Sequence, residues 1–278
     1  MRKSNLLLTA LIFAMATCSQ TAGIRDPSNI STAGRTQDAF EIRQSVYFED
    51  GSLDEFTTSR WDTSYTHVDY QGRFSASGAL LEQIEYSYSE EIGNILTRLT
   101  RDVEERLRNR IVYQYNPQGL LWRESLVDNR GRVVSTYEFG YDNRGNRTSR
   151  TIKNRAGDEL AVTTFTFDNA NRLTRSETRD MGGSVISSTT FSYDGQGNLV
   201  AQQVANAAGS VTSNIRAVWQ EGREIRNETT GADGTMHMRI TNEYGPQGQL
   251  LIRTIENFQG QSTQVMRYEY DLRPRRRS

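Results

Sequence analysis

The feature that most constrains the fold is a repeat of about 26 residues, in which an alternating aromatic strand runs into a glycine turn. The clearest copy extends from Tyr137 to Arg147. Each unit has a second glycine turn, or Glu105 in one unit, about ten residues before its last aromatic, which predicts two strands of eight or nine residues. The last aromatic of each unit falls at Tyr88, Tyr115, Tyr141, Phe167, Tyr193, Trp219, Tyr244 and Tyr270, in steps of 27, 26, 26, 26, 26, 25 and 26 residues.

The turns after the aromatic strands share one position that favours a left-handed backbone. Most units have glycine there, and one unit has Asn171, the non-glycine residue type that best tolerates positive φ. An aspartate opens several of these turns, where its carboxylate can accept backbone N–H groups. The residues that we interpret as turn-forming are Asp142, Gly145, Asp168, Asn171, Asp194, Gly197 and Gly248.

The pattern predicts an all-β fold, an antiparallel meander of tandem β-hairpins with about sixteen strands. Twisted sheets of more than about ten strands curl, split or close. We expect a long curled or spiral sheet, with closure into a barrel as the second arrangement. The irregular stretch before Tyr70 is interpreted as an atypical cap on the array.

The N-terminus reads as an export signal. Residues 1–18 combine a basic start with an apolar stretch too short to span a bilayer. They end at Cys18, the only cysteine, and Met15 to Cys18 resembles a bacterial lipoprotein signal, which implies lipidation of Cys18. Ordinary cleavage after Ala16, giving a secreted or periplasmic protein, is the alternative. We assign residues 19–44 to a flexible tether and 45–278 to the repeat domain, with regular repeats over 70–271 and a basic tail over 272–278.

The charges of the chain argue against two classes of protein, nucleic-acid-binding proteins and membrane-spanning barrels. The formal net charge of −1 offers no field for nucleic acid. Charged residues occur at both alternating positions of the strands, for example Arg123 beside Glu124, whereas a membrane-spanning barrel needs a continuous apolar outer face.

Candidate sites are few. His67 and His237 lack the spacing of metal ligands, and no cofactor motif is present. Equivalent turn aspartates would lie ~10 Å apart, too far to share a calcium ion and at the limit for a glycosidase pair. We expect the aromatic series to form the core. Rings at the edge of the sheet are the better candidates for ligand contact: Trp61, Trp122 and Trp219.

The motif Tyr-Asp-x-x-Gly-Asn at residues 141–146 and 193–198 resembles the YD repeat of RHS-repeat proteins, over roughly residues 70 to 271. In that family the repeats form strands that spiral into a shell around a toxin. This chain has a longer period, and Ser89, Asn116, Gln220 and Gly245 replace the aspartate, so the closer likeness is to short, stand-alone YD-repeat lipoproteins.

The resemblance implies a non-enzymatic, exported protein of the cell envelope that presents a β-sheet surface to an envelope protein or glycan. Two alternatives remain open: a shell fragment or accessory component of an RHS-type toxin system, and an enzyme acting on glycans.

Overall fold

The computed structural model describes residues 39–62, 67–91 and 93–272, and within these ranges the chain is built from antiparallel strands. None of the described segments is a helix long and apolar enough to cross a membrane. The strands are β1 (Ala39–Tyr47), β2 (Leu53–Trp61), β3 (Val68–Ser75), β4 (Leu80–Tyr88), β5 (Ile95–Arg101), β6 (Leu107–Tyr115), β7 (Leu121–Asp128), β8 (Val133–Tyr141), β9 (Arg147–Lys153), β10 (Glu159–Phe167), β11 (Leu173–Asp180), β12 (Val185–Tyr193), β13 (Leu199–Asn206), β14 (Val211–Gln220), β15 (Arg223–Gly231), β16 (Met236–Tyr244), β17 (Leu250–Asn257) and β18 (Ser262–Leu272).

The meander closes into an 18-stranded barrel. Each strand pairs with its neighbours in the chain, and β1 pairs with both β2 and β18. The all-β hairpin architecture is therefore confirmed, and closure occurs in place of the open spiral. Closure satisfies the backbone groups of β1 and β18, which in an open sheet would form exposed edges.

Regular β-bulges give the sheet its curvature. Every pairing except β17–β18 contains a register shift near one end, such as the shift between Gly140 and Tyr141 in the β8–β9 hairpin. A bulge bends its strand and increases the local right-handed twist. Repetition of this distortion in almost every hairpin gives a physical reason for the sheet to curl until its ends meet.

Two sequence-based boundaries were wrong. The array has 18 strands instead of about sixteen, because the stretch before Tyr70 contains β1, β2 and the start of β3 and is no separate cap. Residues 39–44, which we assigned to the tether, belong to β1. Their position depends on backbone pairing with β18, more than 220 residues away in the chain, and local sequence carries no signal of that pairing. The signal segment, Cys18 and the rest of the tether lie outside the described residues.

The hairpin turns repeat one hydrogen-bond pattern. In the β8–β9 turn, Asp142 N donates to Asn146 O at 2.9 Å and Gly145 N donates to Asp142 O at 3.1 Å. Gly145 has φ +83°, as the last residue of a three-residue hairpin loop requires. Asn171 has φ +59° at the same position, and Glu105 has φ +60° in the turn between β5 and β6.

The two off-period units differ only at their turns. Gln220 pairs directly with Arg223, so the loop between β14 and β15 has two residues, Glu221 and Gly222, both with positive φ. The turn between β4 and β5 is longer and closes through Gly93 N to Ser89 O. Length changes confined to turns leave the faces of the flanking strands intact.

Candidate binding surface: the inner wall of the barrel

The two faces of the barrel differ in exposure. On β14, Ile215 is 7% exposed and Ala217 and Trp219 are partly covered, whereas Arg216 and Val218 on the opposite face are exposed. The same alternation holds over the last five residues of the aromatic strands β10 and β12, residues 163–167 and 189–193. Side chains converge on the concave face of a barrel and diverge on its convex face. We therefore identify the aromatic face as the inner wall.

The barrel is wide. Eighteen strands spaced ~4.8 Å apart and tilted by ~40° give a backbone diameter of roughly 35 Å. Among the described strands, only hydrogen-bonded neighbours have Cα atoms within 8 Å of each other. Side chains fill the interior of a barrel of about eight strands, so this ring encloses a space lined by the inner wall.

The inner wall is held by a repeated hydrogen bond from the last aromatic of a unit to a backbone carbonyl 20 residues earlier, at 2.6 to 2.9 Å. The unit ending in Phe167 has no ring donor and lacks this bond. The donors are Tyr88, Tyr115, Tyr141, Tyr193, Trp219, Tyr244 and Tyr270, and the acceptors are the carbonyls of Val68, Ile95, Leu121, Leu173, Leu199, Glu224 and Leu250.

Three tyrosines on β16 and β18, close to the β1–β18 pairing that closes the barrel, are strongly desolvated. Burial raises the pKa of Tyr270 to about 12, and it also raises the pKa of Tyr244 and of Tyr268. These phenols stay protonated at neutral pH. Tyr244 and Tyr270 use their hydroxyl protons to bind backbone carbonyls, so they stabilise the wall and are not poised as acids or nucleophiles.

Glu224 is the inner-wall carboxylate with the clearest perturbation. Burial raises its pKa, and the Asn227 side chain and the Arg253 charge oppose this shift only in part. Arg253 Nε donates to Asn242 Oδ1 at 2.9 Å, and Asn242 Nδ2 donates to the Glu224 carbonyl. Glu224 and Asn227 line a shallow depression with room for about one water molecule. The carboxyl group itself is hydrogen-bonded by the Asn227 side chain, and Arg253 acts on it through its charge.

The raised pKa of Glu224 predicts a pH dependence of stability. The folded state favours the neutral acid, so this contribution is fully present below the ordinary pKa of 4.5 and is lost as pH rises through the raised pKa. We expect Glu224→Gln to melt at a higher temperature than the natural protein at pH 7 and to lose less stability between pH 4.5 and 7. Thermal unfolding across that range tests this. Glu243→Gln, an exposed outer-wall substitution, is the control, and a lower melting temperature for Glu224→Gln at pH 7 would contradict the expectation.

Arginines stack on the inner aromatic rings. Arg147 Cζ lies 4.0 Å from the centre of the Phe139 ring, and Arg150 Cζ lies 5.7 Å from that of Tyr137. Arg172 lies over Tyr193 at 5.0 Å in another unit. Stacking of this kind holds a guanidinium plane in place while its edges stay available for hydrogen bonds.

The outer wall carries ion pairs across the middle of the strands. Glu138 on β8 accepts from Arg123 on β7 and pairs with Lys153 Nζ on β9 at 2.8 Å. Glu228 binds Arg239 in the same way at 2.9 Å. On β7, β8, β9, β15 and β16, these charges occupy outer-wall positions that would be apolar in a membrane-spanning barrel.

The predicted turn residues lie at one end of the barrel, in the turns that follow even-numbered strands. Asp142 Oδ1 accepts from Arg144 N and Asn146 N, and Asp168 and Asp194 accept equivalent bonds. The Asn146 amide is the main cause of the lowered pKa of Asp142. The glycines at this position, Gly145, Gly197 and Gly248, have φ of +83°, +87° and +82°.

The three tryptophans lie at this same end but on separate strands. Trp61 is 3% exposed, so its ring is part of the packed wall. Trp219 Nε1 donates to Leu199 O at 2.9 Å in the repeated hydrogen bond. Trp122 is half-buried, with Arg123 Cζ 4.5 Å from its ring centre. The structure does not bring these rings together into one contact site.

The histidines also stay apart. His67 contacts Asp62 through Nδ1 and Gly93 O through Nε2, both at 3.1 Å, whereas His237 lies near the start of β16, beside Gly231 of β15. Within residues 39–62, 67–91 and 93–272, no cluster of three or more metal-ligating side chains occurs. The basic side chains of the tail fall outside the described residues.

Sequence alternation missed Arg147 and Arg150 as a pair. Residues three apart on a regular strand point to opposite faces. The bulge in the β8–β9 hairpin instead places Arg147 opposite Tyr141 and Arg150 opposite Phe139, both on the inner wall. An alignment of the repeats offers a signal, because Ile95, Leu121, Leu173, Leu199 and Leu250 hold the position of Arg147 in other units.

Comparison with known proteins gives only distant structural likenesses. No family model and no curated protein matches the chain. A porin-like protein from Bacteroides uniformis is 12% identical, covers 85% of this chain and 98% of its own, and has a TM-score of 0.44. The Tc holotoxin pore of Photorhabdus luminescens is 12% identical over 76% of this chain, with a TM-score of 0.29.

A DUF1329 family protein from Desulfovibrio piger is 10% identical, covers 84% of this chain and 87% of its own, and has a TM-score of 0.27. The chain spans about 15% of the toxin chain that it matches. Likenesses this distant assign neither a family nor a function.

Proposed function

We propose that the protein is a non-enzymatic binding protein of the bacterial cell envelope, exported by residues 1–18, anchored by a lipid on Cys18 and binding its ligand at the inner wall of the barrel. The observation that carries the proposal is the closed 18-stranded ring with a polar and aromatic inner wall. Such a ring is wider than its own side chains can fill, and aromatic and hydrogen-bonding groups together suit a small organic ligand.

The non-enzymatic assignment is supported by the chemistry of the most perturbed inner groups. The partners of Glu224 are Asn227 and Arg253, whereas glycoside hydrolysis uses two carboxyl groups that flank the bond. The hydroxyl groups of Tyr244 and Tyr270 donate their protons in hydrogen bonds to backbone carbonyls. These groups are suited to holding the wall and orienting a ligand.

The anchoring part of the proposal is tested by Cys18→Ser. A lipid-modified cysteine holds a protein at the membrane, so the variant should lose metabolic palmitate labelling and should leave the membrane fraction. Cys18→Ala is the matched second variant, because both remove the thiol. Unchanged labelling would overturn the assignment, and secretion with normal signal cleavage would support the soluble alternative.

The binding part is tested with the barrel, residues 39–278, on a glycan array and in a pull-down from envelope extracts. The start at residue 39 retains β1, without which the ring cannot close. We expect retention of one class of ligand by the folded barrel and none after heat unfolding. Equal retention before and after unfolding would contradict a binding function.

A shell fragment of an RHS-type toxin system is the second candidate, favoured by the YD-like turns at residues 141–146 and 193–198. The pairing of β1 with β18 weighs against it, since a closed ring leaves no free sheet edge to continue a larger shell. A toxin or immunity gene beside this one would support this candidate. An enzyme acting on glycans ranks third, and catalytic turnover of a bound glycan would support it.

A further inference from the structure

Strand β9 places two arginines, Arg147 and Arg150, at consecutive positions of the inner wall. Arg147 and Arg150 form no ion pair with any described residue, whereas Arg123 and Arg239 on the outer wall both bind glutamates. Arg147 makes one long hydrogen bond, from Nη2 to the Tyr141 hydroxyl at 3.4 Å. The Nε atoms of both Arg147 and Arg150 are buried without a hydrogen-bond partner. Leaving a charged donor buried and unpaired is costly, so this region is short of an anion.

The direct cross-strand partners of Arg150 are neutral. Arg150 lies opposite Phe139 on β8 and Thr163 on β10, and Thr163 Oγ1 is already hydrogen-bonded to Thr178 Oγ1 at 2.9 Å. Glu124 is on the inner wall of β7, beyond Tyr137. Two guanidinium groups at consecutive inner-wall positions of one strand therefore create a local excess of positive charge.

The guanidinium groups are also preorganised. The Phe139 and Tyr137 rings support Arg147 and Arg150, which restricts the side chains before any ligand arrives. A guanidinium edge presents parallel N–H groups that match the two oxygens of a carboxylate or phosphate. Stacking on one face leaves such edges directed along the wall.

The repeat itself departs from its pattern at this place. Arg147 replaces the aliphatic residue that begins the corresponding strand in most units, such as Leu121 and Leu173. The same unit ends in Phe167, so it lacks the ring donor that elsewhere binds the carbonyl 20 residues earlier. Both departures fall on the β8–β10 segment, which marks it off from the other units.

We propose that Arg147 and Arg150, held on Phe139 and Tyr137, form a binding site on the inner wall for an oxyanion, the carboxylate or phosphate group of a small ligand. This inference rests on the proposed binding function and names the chemical class of its ligand. Arg147 and Arg150 each donate to the anion, and the Phe139 and Tyr137 rings shield one face of each guanidinium.

The test is isothermal titration of the purified full chain with three probes: trigalacturonate, inorganic phosphate and neutral maltotriose. We expect binding of at least one anionic probe and none of maltotriose, with trigalacturonate and phosphate distinguishing a uronic acid from a phosphate ligand. Arg150→Gln should weaken binding at least ~10-fold, because it removes a charge-assisted hydrogen-bond donor. Arg150→Lys should bind with intermediate affinity, because it keeps the positive charge but loses the paired N–H donors of the guanidinium.

The matched control is Arg110→Gln. Arg110 Nε is also buried without a partner, but Arg110 faces outward, opposite Leu99 and Val127. The Arg110→Gln variant should bind the anion with the same affinity as the natural protein. The proposal would be overturned if Arg110→Gln and Arg150→Gln lost affinity for the anion equally. It would also be overturned if Arg150→Gln bound the anion with unchanged affinity, or if neither anion bound. Retention of a neutral glycan on the array, together with no binding of either anion, would overturn the anion site and leave the proposed binding function standing.

Discussion

Gln44→Pro is expected to destabilise the protein by roughly 3 kcal/mol or more and to prevent closure of the barrel. Gln44 lies in the middle of β1, opposite Tyr268 on one side and Thr57 on the other. Proline removes a ladder hydrogen bond and its ring disturbs the pairing of this strand. Because native domains are stable by only about 5–15 kcal/mol, this is a large fraction of the total.

The consequence should be visible as aggregation as well as lost stability. Without β1, the unpaired edges of β2 and β18 can pair with other chains. We expect a lower melting temperature by circular dichroism and increased light scattering. Gln44→Ala separates the side chain, whose Nε2 contacts Met266 Sδ at 3.6 Å, from the backbone effect.

The control for proline itself is Asn143→Pro. Asn143 follows Asp142 in its turn, as Pro117 follows Asn116 and Pro246 follows Gly245 in equivalent turns. Proline is favoured at this second position of a type I turn, so Asn143→Pro should be neutral or slightly stabilising. Equal melting temperatures for the Gln44 and Asn143 proline variants would show that β1 does not hold the ring closed.

Asn171→Val is expected to cost about 2 kcal/mol, while Asn171→Gly should stay within about 1 kcal/mol of the natural protein. The φ of +59° at Asn171 is unfavourable for a β-branched residue and readily adopted by glycine. Glycine loses the contacts of Asn171 Oδ1 with Arg144 Nη1 and Asn146 Nδ2, and these are exposed and weak.

Chemical denaturation of both Asn171 variants measures this difference directly. Gly145→Val and Gly145→Asn provide the reciprocal comparison at an equivalent turn with φ +83°. The order glycine, asparagine, then valine is expected at both turns. Similar unfolding free energies for Asn171→Val and Asn171→Gly would show that the turn conformation does not limit stability.

Several features of the fold could be derived from local sequence. Alternation of aromatic and polar residues predicts strands, and the asparagine in place of glycine at Asn171 predicts a left-handed turn. The length changes before Leu96 and Arg223 were assigned to turns because a slip within a strand would turn the core outward. These inferences hold because turn chemistry and side-chain alternation depend on neighbours a few residues away.

The candidate site required the three-dimensional structure. Simple alternation places Arg147 and Arg150 on opposite faces, and only the bulge opposite Tyr141 brings both to the inner wall. Glu224 reaches the inner wall through the same kind of register shift, opposite Trp219. A bulge changes the face of every later residue on its strand, so the composition of a barrel wall cannot be read without the pairing register.

By itself, the sequence determined the hairpin repeat, its period and the turns that punctuate it, because these depend on local backbone preferences. The tertiary structure decided that β1 closes the ring against β18, that the aromatic face lines the inside, and that Arg147 and Arg150 share it. Closure depends on the summed twist of all the strands and on one pairing between distant ends of the chain. No single unit of the repeat contains that information.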